Sequence, residues 1–131
     1  MFSLNQYQKY APSIVRIAIS LVFLWFGINQ LLLPEDFLGY LPQFLLELDY
    51  AETLVRFNGL AEIILGGLLL VGFLIRPVSL LLAIHLLGII ISLGYNDIAV
   101  RDFGLLLVTL SIFIGGRDLW SLDYRRKKQE L

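Results

Sequence analysis

The residue in this chain best placed to do chemistry is a glutamate in an apolar stretch. Glu62 follows Asn58-Gly59-Leu60-Ala61 and precedes Ile63-Ile64-Leu65-Gly66-Gly67. A carboxylate in hydrocarbon must be paired, hydrogen-bonded, protonated or hydrated, so an ionisable group there is a functional candidate by default. Asn58, Glu62 and Gly66 recur at i, i+4 and i+8 with Gly59 on the adjoining edge, which sets a polar stripe and a close-approach surface on one side of a helix. Arg101 is the expected partner of Glu62, and Asp102 begins a second polar stripe that reaches Thr109. Two roles stay open for these charges: a clamp joining two helices, or the wall of a ligand pocket formed by Glu62, Arg101, Asp102, Asn58 and Asn29.

Other candidates are weaker. His85 is the single histidine; it cannot build the usual zinc site, and two-histidine haem ligation would need a second subunit, so no metal is expected. Proton handling is its functional reading, shared with Glu62, and a neutral histidine hydrogen-bonded inside a bundle is its structural one. Arg16, close to a helix start, is expected to snorkel to phosphate and fix topology, with an inward salt bridge as the alternative. Trp25 reads as packing or lipid contact. No cysteine occurs, which removes disulfides, thiolate metal sites and iron–sulfur ligation. Nothing resembles a phosphate loop, a nucleophile elbow or a hydrolytic triad, so no catalytic residue is assigned.

The elements that must hold these residues follow from composition. Of 131 residues, 58% are hydrophobic and 16% charged, and the mean hydropathy is +0.80. One small soluble core cannot hide that much apolar surface, whereas four crossings of a bilayer at about 20 residues each can use it. Spans are expected over 13–33, 54–75, 78–94 and 98–116, followed by a basic tail at 117–131, all in one domain over 1–131. Arg76-Pro77 between the second and third spans predicts an antiparallel hairpin with almost no loop. The formal charge of −1 excludes a generally basic nucleic-acid binder.

Charge placement sets direction. Lys9, Arg16, Arg76, Arg117, Arg125, Arg126, Lys127 and Lys128 fall on one side and only Arg56 and Arg101 on the other, so the first side is expected to be cytoplasmic. The expected fold is an all-α polytopic membrane four-helix bundle with both termini cytoplasmic. Its outer loop between helices 1 and 2 interleaves acids with Phe37, Leu38, Tyr40, Leu41, Phe44 and Leu45, a pattern expected to lie in the interface with some helix after Pro42. The loop reads either as a covering flap or as a lid over an outward-facing pocket, with Phe44 as the lid residue. Counting at about 1.5 Å per residue from the inner ends, Asn29, Asn58, Glu62 and Arg101 all reach about 20 to 26 Å, whereas His85 reaches only about 10 Å.

In the order and spacing of its segments the chain resembles the DoxX family of small four-helix membrane proteins. The likeness runs from about 13 to 123: Arg16 followed by Phe23-Leu24-Trp25-Phe26-Gly27, then Asn58-Gly59-Leu60-Ala61-Glu62, Gly72-Phe73-Leu74-Ile75-Arg76, Arg101-Asp102-Phe103-Gly104-Leu105-Leu106, and Ser121-Leu122-Asp123. The resemblance implies a prokaryotic plasma-membrane protein. Some relatives belong to redox systems, including the DoxD-like subunit of a thiosulfate:quinone oxidoreductase, and others serve oxidative-stress or membrane-assembly roles. Carried over by position, Glu62, Arg16, Arg101 and Asp102 are the family's candidates in this chain.

Three function classes follow. In the first, the protein is a quinone-linked redox accessory subunit or lipophilic-ligand module, with Arg101 polarising a quinone carbonyl and Glu62 shuttling a proton. No cofactor motif is evident, so electrons would come through a quinone, a bound cofactor or a partner subunit of a redox complex. The second class is a small proton-coupled transporter using Glu62, with Gly66, Gly88 and Ser92 as close-packing surfaces for a homodimer. A noncatalytic membrane assembly factor is the third. Membrane lipids are partners in every case, and nucleic acid in none.

Overall fold

The computed structural model describes residues 3–131, and no strand occurs among them. A 3-10 turn at Leu4–Tyr10 leads into α1 (Ala11–Leu32). A second such turn, Pro34–Tyr40, and the short α2 (Gln43–Leu46) make the long connection to α3 (Ala51–Val71). Then come α4 (Ile75–Leu93), α5 (Asp97–Gly115) and a terminal helix, α6 (Leu122–Glu130). The helix expected after Pro42 is present as α2, and the basic tail contains α6.

Among the described residues four helices are long and apolar enough to cross a membrane, and no more than 33% of any of their apolar windows is buried inside the protein. Residues such as Ile14, Leu21, Phe57, Ile64, Ile91 and Ile114 point outward. Surface of that character needs a hydrocarbon solvent, and the chain is a multi-pass membrane protein.

The turn between α3 and α4 lies four residues earlier than the Arg76-Pro77 reading places it. Gly72 takes φ +75°, and the N–H groups of Gly72 and Phe73 donate to Leu69 O and Leu68 O at 3.1 and 2.9 Å. That pattern is a Schellman stop, which favours glycine at the left-handed position. A side chain at Gly72 would also collide with Ser121. Leu74 follows at φ 52°, a conformation costing a branched side chain about 1–2 kcal/mol. The Asp123 carboxylate holds it there, accepting from the N–H groups of Leu74 and Ile75 at 2.9 and 2.8 Å and so capping α4. Pro77 sits in the first turn of α4, where its missing N–H costs nothing.

Consecutive spans do not all pack equally. α1 packs on α3, and α4 on α5, more extensively than α3 packs on α4. Glycine sets the first contact: a Cβ on Gly27 or Gly59 would stand 2.7 Å from the other residue's carbonyl oxygen, so the backbones cross without side chains between them. The expectation that Gly66 serves a dimer surface gives way to the same contact, because Gly66 faces Phe23 and Leu24 of α1.

The two helix pairs close on a core of Ile19, Phe23, Leu69, Ile75, Val78, Leu82, Ala83, Leu86, Leu106 and Ile112. These residues belong to the half of the bundle nearer the termini and to its middle. Hydroxyls in the helices bond back one turn: Ser20 to Arg16 O, Ser79 to Ile75 O and Thr109 to Leu105 O, which satisfies them without a partner helix.

Candidate functional site

Two polar centres interrupt the apolar interior. The first is at the termini end. Arg16 is 1% exposed, and its Nε and Nη2 donate to Asp118 Oδ2 and Oδ1 at 2.6 and 3.2 Å. Its Nη1 donates to Leu69 O at 2.8 Å and to Leu70 O. Those carbonyls belong to the last turn of α3, where intrahelical donors run out, so one guanidinium caps α3 and pairs with the C-terminal segment. Ser13 Oγ adds a hydrogen bond to Asp118 Oδ1 at 2.6 Å. Burial by itself would raise the Asp118 carboxyl, but the hydrogen bonds from Arg16 and Ser13 and the guanidinium charge hold it below its ordinary value. The snorkelling expectation for Arg16 is therefore corrected: Asp118, just past the end of α5, gives it an interior partner.

The second centre opens onto a cavity of about 320 Å³ between the two helix pairs, in the half away from the termini. Glu62 sits on its wall. Glu62 Oε1 accepts from Asn58 Nδ2 at 3.2 Å and lies 2.7 Å from His85 Nε2, and Oε2 accepts from Gln30 Nε2 at 3.0 Å. Asn58 Nδ2 also donates to Gln30 Oε1 at 2.7 Å, so the two amides fix each other and both orient the carboxylate. Each N–H of the Asn58 amide is used within this network.

Depths counted from a turn at Arg76-Pro77 set His85 and Glu62 half a membrane apart, and the structure joins them. The earlier helix end at Val71 and the earlier start at Ile75 account for the difference. Glu62 is nine residues before Val71, where α3 ends, and His85 is ten after Ile75, where α4 begins, which gives about 14 and 15 Å of rise.

The Glu62–Arg101 pairing is corrected as well. Arg101 Nε and Nη2 both donate to the neighbouring Asp102 Oδ1, at 3.0 and 2.9 Å, and Nη2 reaches Tyr40 Oη at 3.4 Å. Its guanidinium lies over the Phe26 ring, 5.1 Å from the centroid, close enough for a cation–π contact. Phe26 meets Phe37 edge-on, and Phe37 stacks on Tyr40 at 5.7 Å. Arg101 and Asp102 thus form a second polar edge of the cavity, held by an aromatic cluster.

Of the residues singled out in the sequence, Glu62, Asn58, His85, Arg101 and Asp102 meet around this cavity. Asn29 does not: its amide donates to Trp25 O at 2.8 Å, one turn back on its own helix, and Gln30 faces inward in its place. Phe44 does not cover the cavity; it is 70% exposed, and Phe37, Tyr40, Leu41 and Pro42 from the same connection line the cavity instead. Gln30 was legible in principle, since it shares a helical face with Arg16, Ser20 and Gly27, all buried in α1. Asp118 carried no such signal, because it lies outside every span. Among the described residues no group of three or more His, Asp or Glu could hold a metal ion.

One buried polar atom in the protein lacks a partner among the described residues. Ser92 Oγ makes no hydrogen bond, and Ser92 lines the cavity on the same helix as His85 and Gly88. An orphaned hydroxyl costs about 1–3 kcal/mol unless something else satisfies it.

The fold and these two centres define a small multi-pass membrane protein with one sealed half and one hollow half. A family model described as DoxX matches residues 11–94, and the chain belongs to the DoxX family. The match takes in α1, α3 and α4; the Arg101-Asp102 and Ser121-Leu122-Asp123 segments lie beyond it. No curated protein and no solved structure matches the chain significantly.

Proposed function

We propose that the protein binds a lipid-soluble, carbonyl-bearing ligand of the quinone class and serves as an accessory subunit of a quinone-linked redox system in the plasma membrane. The supporting observation is the cavity itself: aromatic and aliphatic faces, a carboxylate–histidine pair on one wall, and an unpartnered hydroxyl at Ser92. A quinone head is flat, apolar on its faces and hydrogen-bond accepting at its edges, and the residues present fit it. Phe23, Phe26 and Phe37 supply faces. Arg101 Nη1, which has no acceptor among the described residues, and Ser92 Oγ supply donors.

When bound, a quinone would supply the electron-accepting ring. The chain's own residues then divide the rest: Arg101 favours negative charge on a carbonyl oxygen, while Glu62 and His85 share a hydrogen bond along which a proton can be held or passed. Gln30 and Asn58 keep the carboxylate in place. The charge distribution, eight cations toward the termini end against Arg56 and Arg101 at the other, supports cytoplasmic termini and a cavity facing the outer leaflet.

The test is quinone binding to the purified protein, with short-chain benzoquinones and naphthoquinones compared across wild type, Glu62→Gln, Arg101→Ala and Ser92→Ala. Binding that weakens in all three variants supports the assignment; no binding of either class to the wild type overturns it. A second function is favoured by the 2.7 Å Glu62–His85 contact near the middle of the spans, namely proton-coupled transport. Proteoliposome flux under a pH gradient distinguishes it, since only a transporter shows Glu62-dependent proton or substrate movement.

A further inference from the structure

The termini end carries a second concavity, independent of the ligand cavity. A cleft of about 610 Å³ runs between the start of α4, the end of α5 and one side of α6. Four cations border it, Arg76, Arg117, Arg126 and Lys127, with Asp123 and Glu130 as the acids. Asp123 is already committed: its two oxygens accept from the N–H groups of Leu74 and Ile75. Two of the cations are held without an acid among the described residues. Arg76 packs over Gly116, where an added Cβ would stand 2.9 Å from its Nε, and its Nη2 lies 3.5 Å from Ile114 O. The Arg126 guanidinium sits over Phe73, 5.2 Å from the ring centroid.

The cleft also sits at a defined level. Its lining includes Leu74, Ile75, Pro77 and Gly115, at the start of α4 and the end of α5. At the same end Tyr10 and Trp120 stack at 5.4 Å, as aromatic residues do at a membrane interface. Apolar residues from the ends of two spans beside an excess of cations match a phosphate joined to acyl chains better than one free in water, and basic pockets between helices at this level hold anionic headgroups.

We propose that this cleft is a specific site for the phosphodiester headgroup of an anionic phospholipid from the leaflet at the termini end. Arg76 and Arg126 are its fixed donors, and Arg117 and Lys127 close around the phosphate. The neighbouring cations Arg125 and Lys128 do not border the cleft and serve as its internal comparison.

The experiment measures lipid retention by the full-length protein in nanodiscs, exchanging phosphatidylglycerol against phosphatidylcholine. Wild type should enrich phosphatidylglycerol, Arg76→Gln/Arg126→Gln should lose about tenfold in selectivity, and Arg125→Gln/Lys128→Gln should lose under threefold. Because Arg76 also packs on Gly116, Arg117→Gln/Lys127→Gln is run in parallel, and each variant's melting temperature is checked without anionic lipid. Equal losses in the cleft and comparison pairs would overturn the proposal in favour of diffuse surface attraction. Displacement of the lipid by millimolar glycerol phosphate or inorganic phosphate would overturn the lipid assignment in favour of a soluble anion. Absence of any enrichment in wild type would remove the site.

Discussion

Arg16–Asp118 and Glu62–His85 are both close polar pairs inside the same small bundle, and their surroundings differ in every respect that matters for function. Arg16 and Asp118 have side chains 1% and 2% exposed, and four of the five guanidinium donors are satisfied by protein. They join α1, the end of α3 and the segment after α5 where the apolar core is continuous. Glu62 and His85 stand at the wall of a cavity, with the histidine side chain 26% exposed. A pair sealed from solvent with nearly all its donors satisfied holds a joint, whereas a pair with an open side can exchange a proton or meet a ligand.

The largest test of this contrast is to break the sealed pair. Asp118→Leu leaves a buried guanidinium without its counter-charge and is expected to cost about 3–5 kcal/mol, read as loss of folded protein or a collapsed melting temperature in detergent. Arg16→Met/Asp118→Leu should recover much of that loss, because the unpaired charge is gone. A double variant as damaged as the single would show that the pair does more than close the joint.

Next in size is the helix crossing. Gly59→Val places atoms where only 2.7 Å separates a Cβ from the opposite carbonyl, and overpacking of this kind costs about 1–3 kcal/mol. It should also weaken ligand binding, since the crossing sets the distance from Gln30 to Glu62; unaltered binding would mean that the amide pair does not orient the carboxylate.

Glu62→Gln is expected to do the reverse of Asp118→Leu. It keeps the shape but turns one accepting oxygen into an N–H donor that Gln30 or Asn58 must turn to meet, so the melting temperature should fall far less than in Asp118→Leu, while quinone affinity falls about tenfold or more because the carboxylate no longer holds His85 and the amides in place. A large loss of stability with unchanged binding would make this second pair a clamp like the first.

Acid separates the pairs more gently. Because the Asp118 carboxyl is held below its ordinary value of 3.8, its stabilisation is complete above that value and is lost as pH falls through the lower, native one. Thermal stability should therefore show an acid limb below about pH 4 that Asp118→Asn removes. The smallest effects belong to the connection between α1 and α3. Tyr40→Phe deletes one 3.4 Å contact to Arg101 and should weaken binding only a few-fold, and Phe44→Ala, outside the cavity, should leave binding unchanged.

Much of this architecture was legible in the residues. Four apolar runs announced four spans, and their ends fell within four residues of the observed ones. Asn58, Glu62, Arg101 and Asp102 were visible as polar groups that lipid would not tolerate. Which group pairs with which was not visible. Charge alone matches Glu62 to Arg101, yet Arg101 turns to Asp102 and Tyr40. Depth alone puts Arg16 at the membrane surface, because its partner, Asp118, lies more than a hundred residues later, in a segment that periodicity does not describe. Placing the turn at Arg76-Pro77 instead of Gly72 moved Glu62 about 6 Å in depth, enough to hide its contact with His85.

By itself the sequence determined that this protein has four runs long and apolar enough to cross a membrane, which of its ends is rich in cations, and that a few polar groups must be buried. Those properties are sums along the chain: hydropathy accumulates over a span, and charge over a loop. The tertiary structure alone decided that α1 pairs with α3 and α4 with α5, that the half near the termini is sealed by Arg16 and Asp118, and that the other half is left hollow around Glu62 and His85. Pairing depends on helix rotation and on the residue at which each helix stops, and a shift of a few residues there turns a side chain from one partner to another.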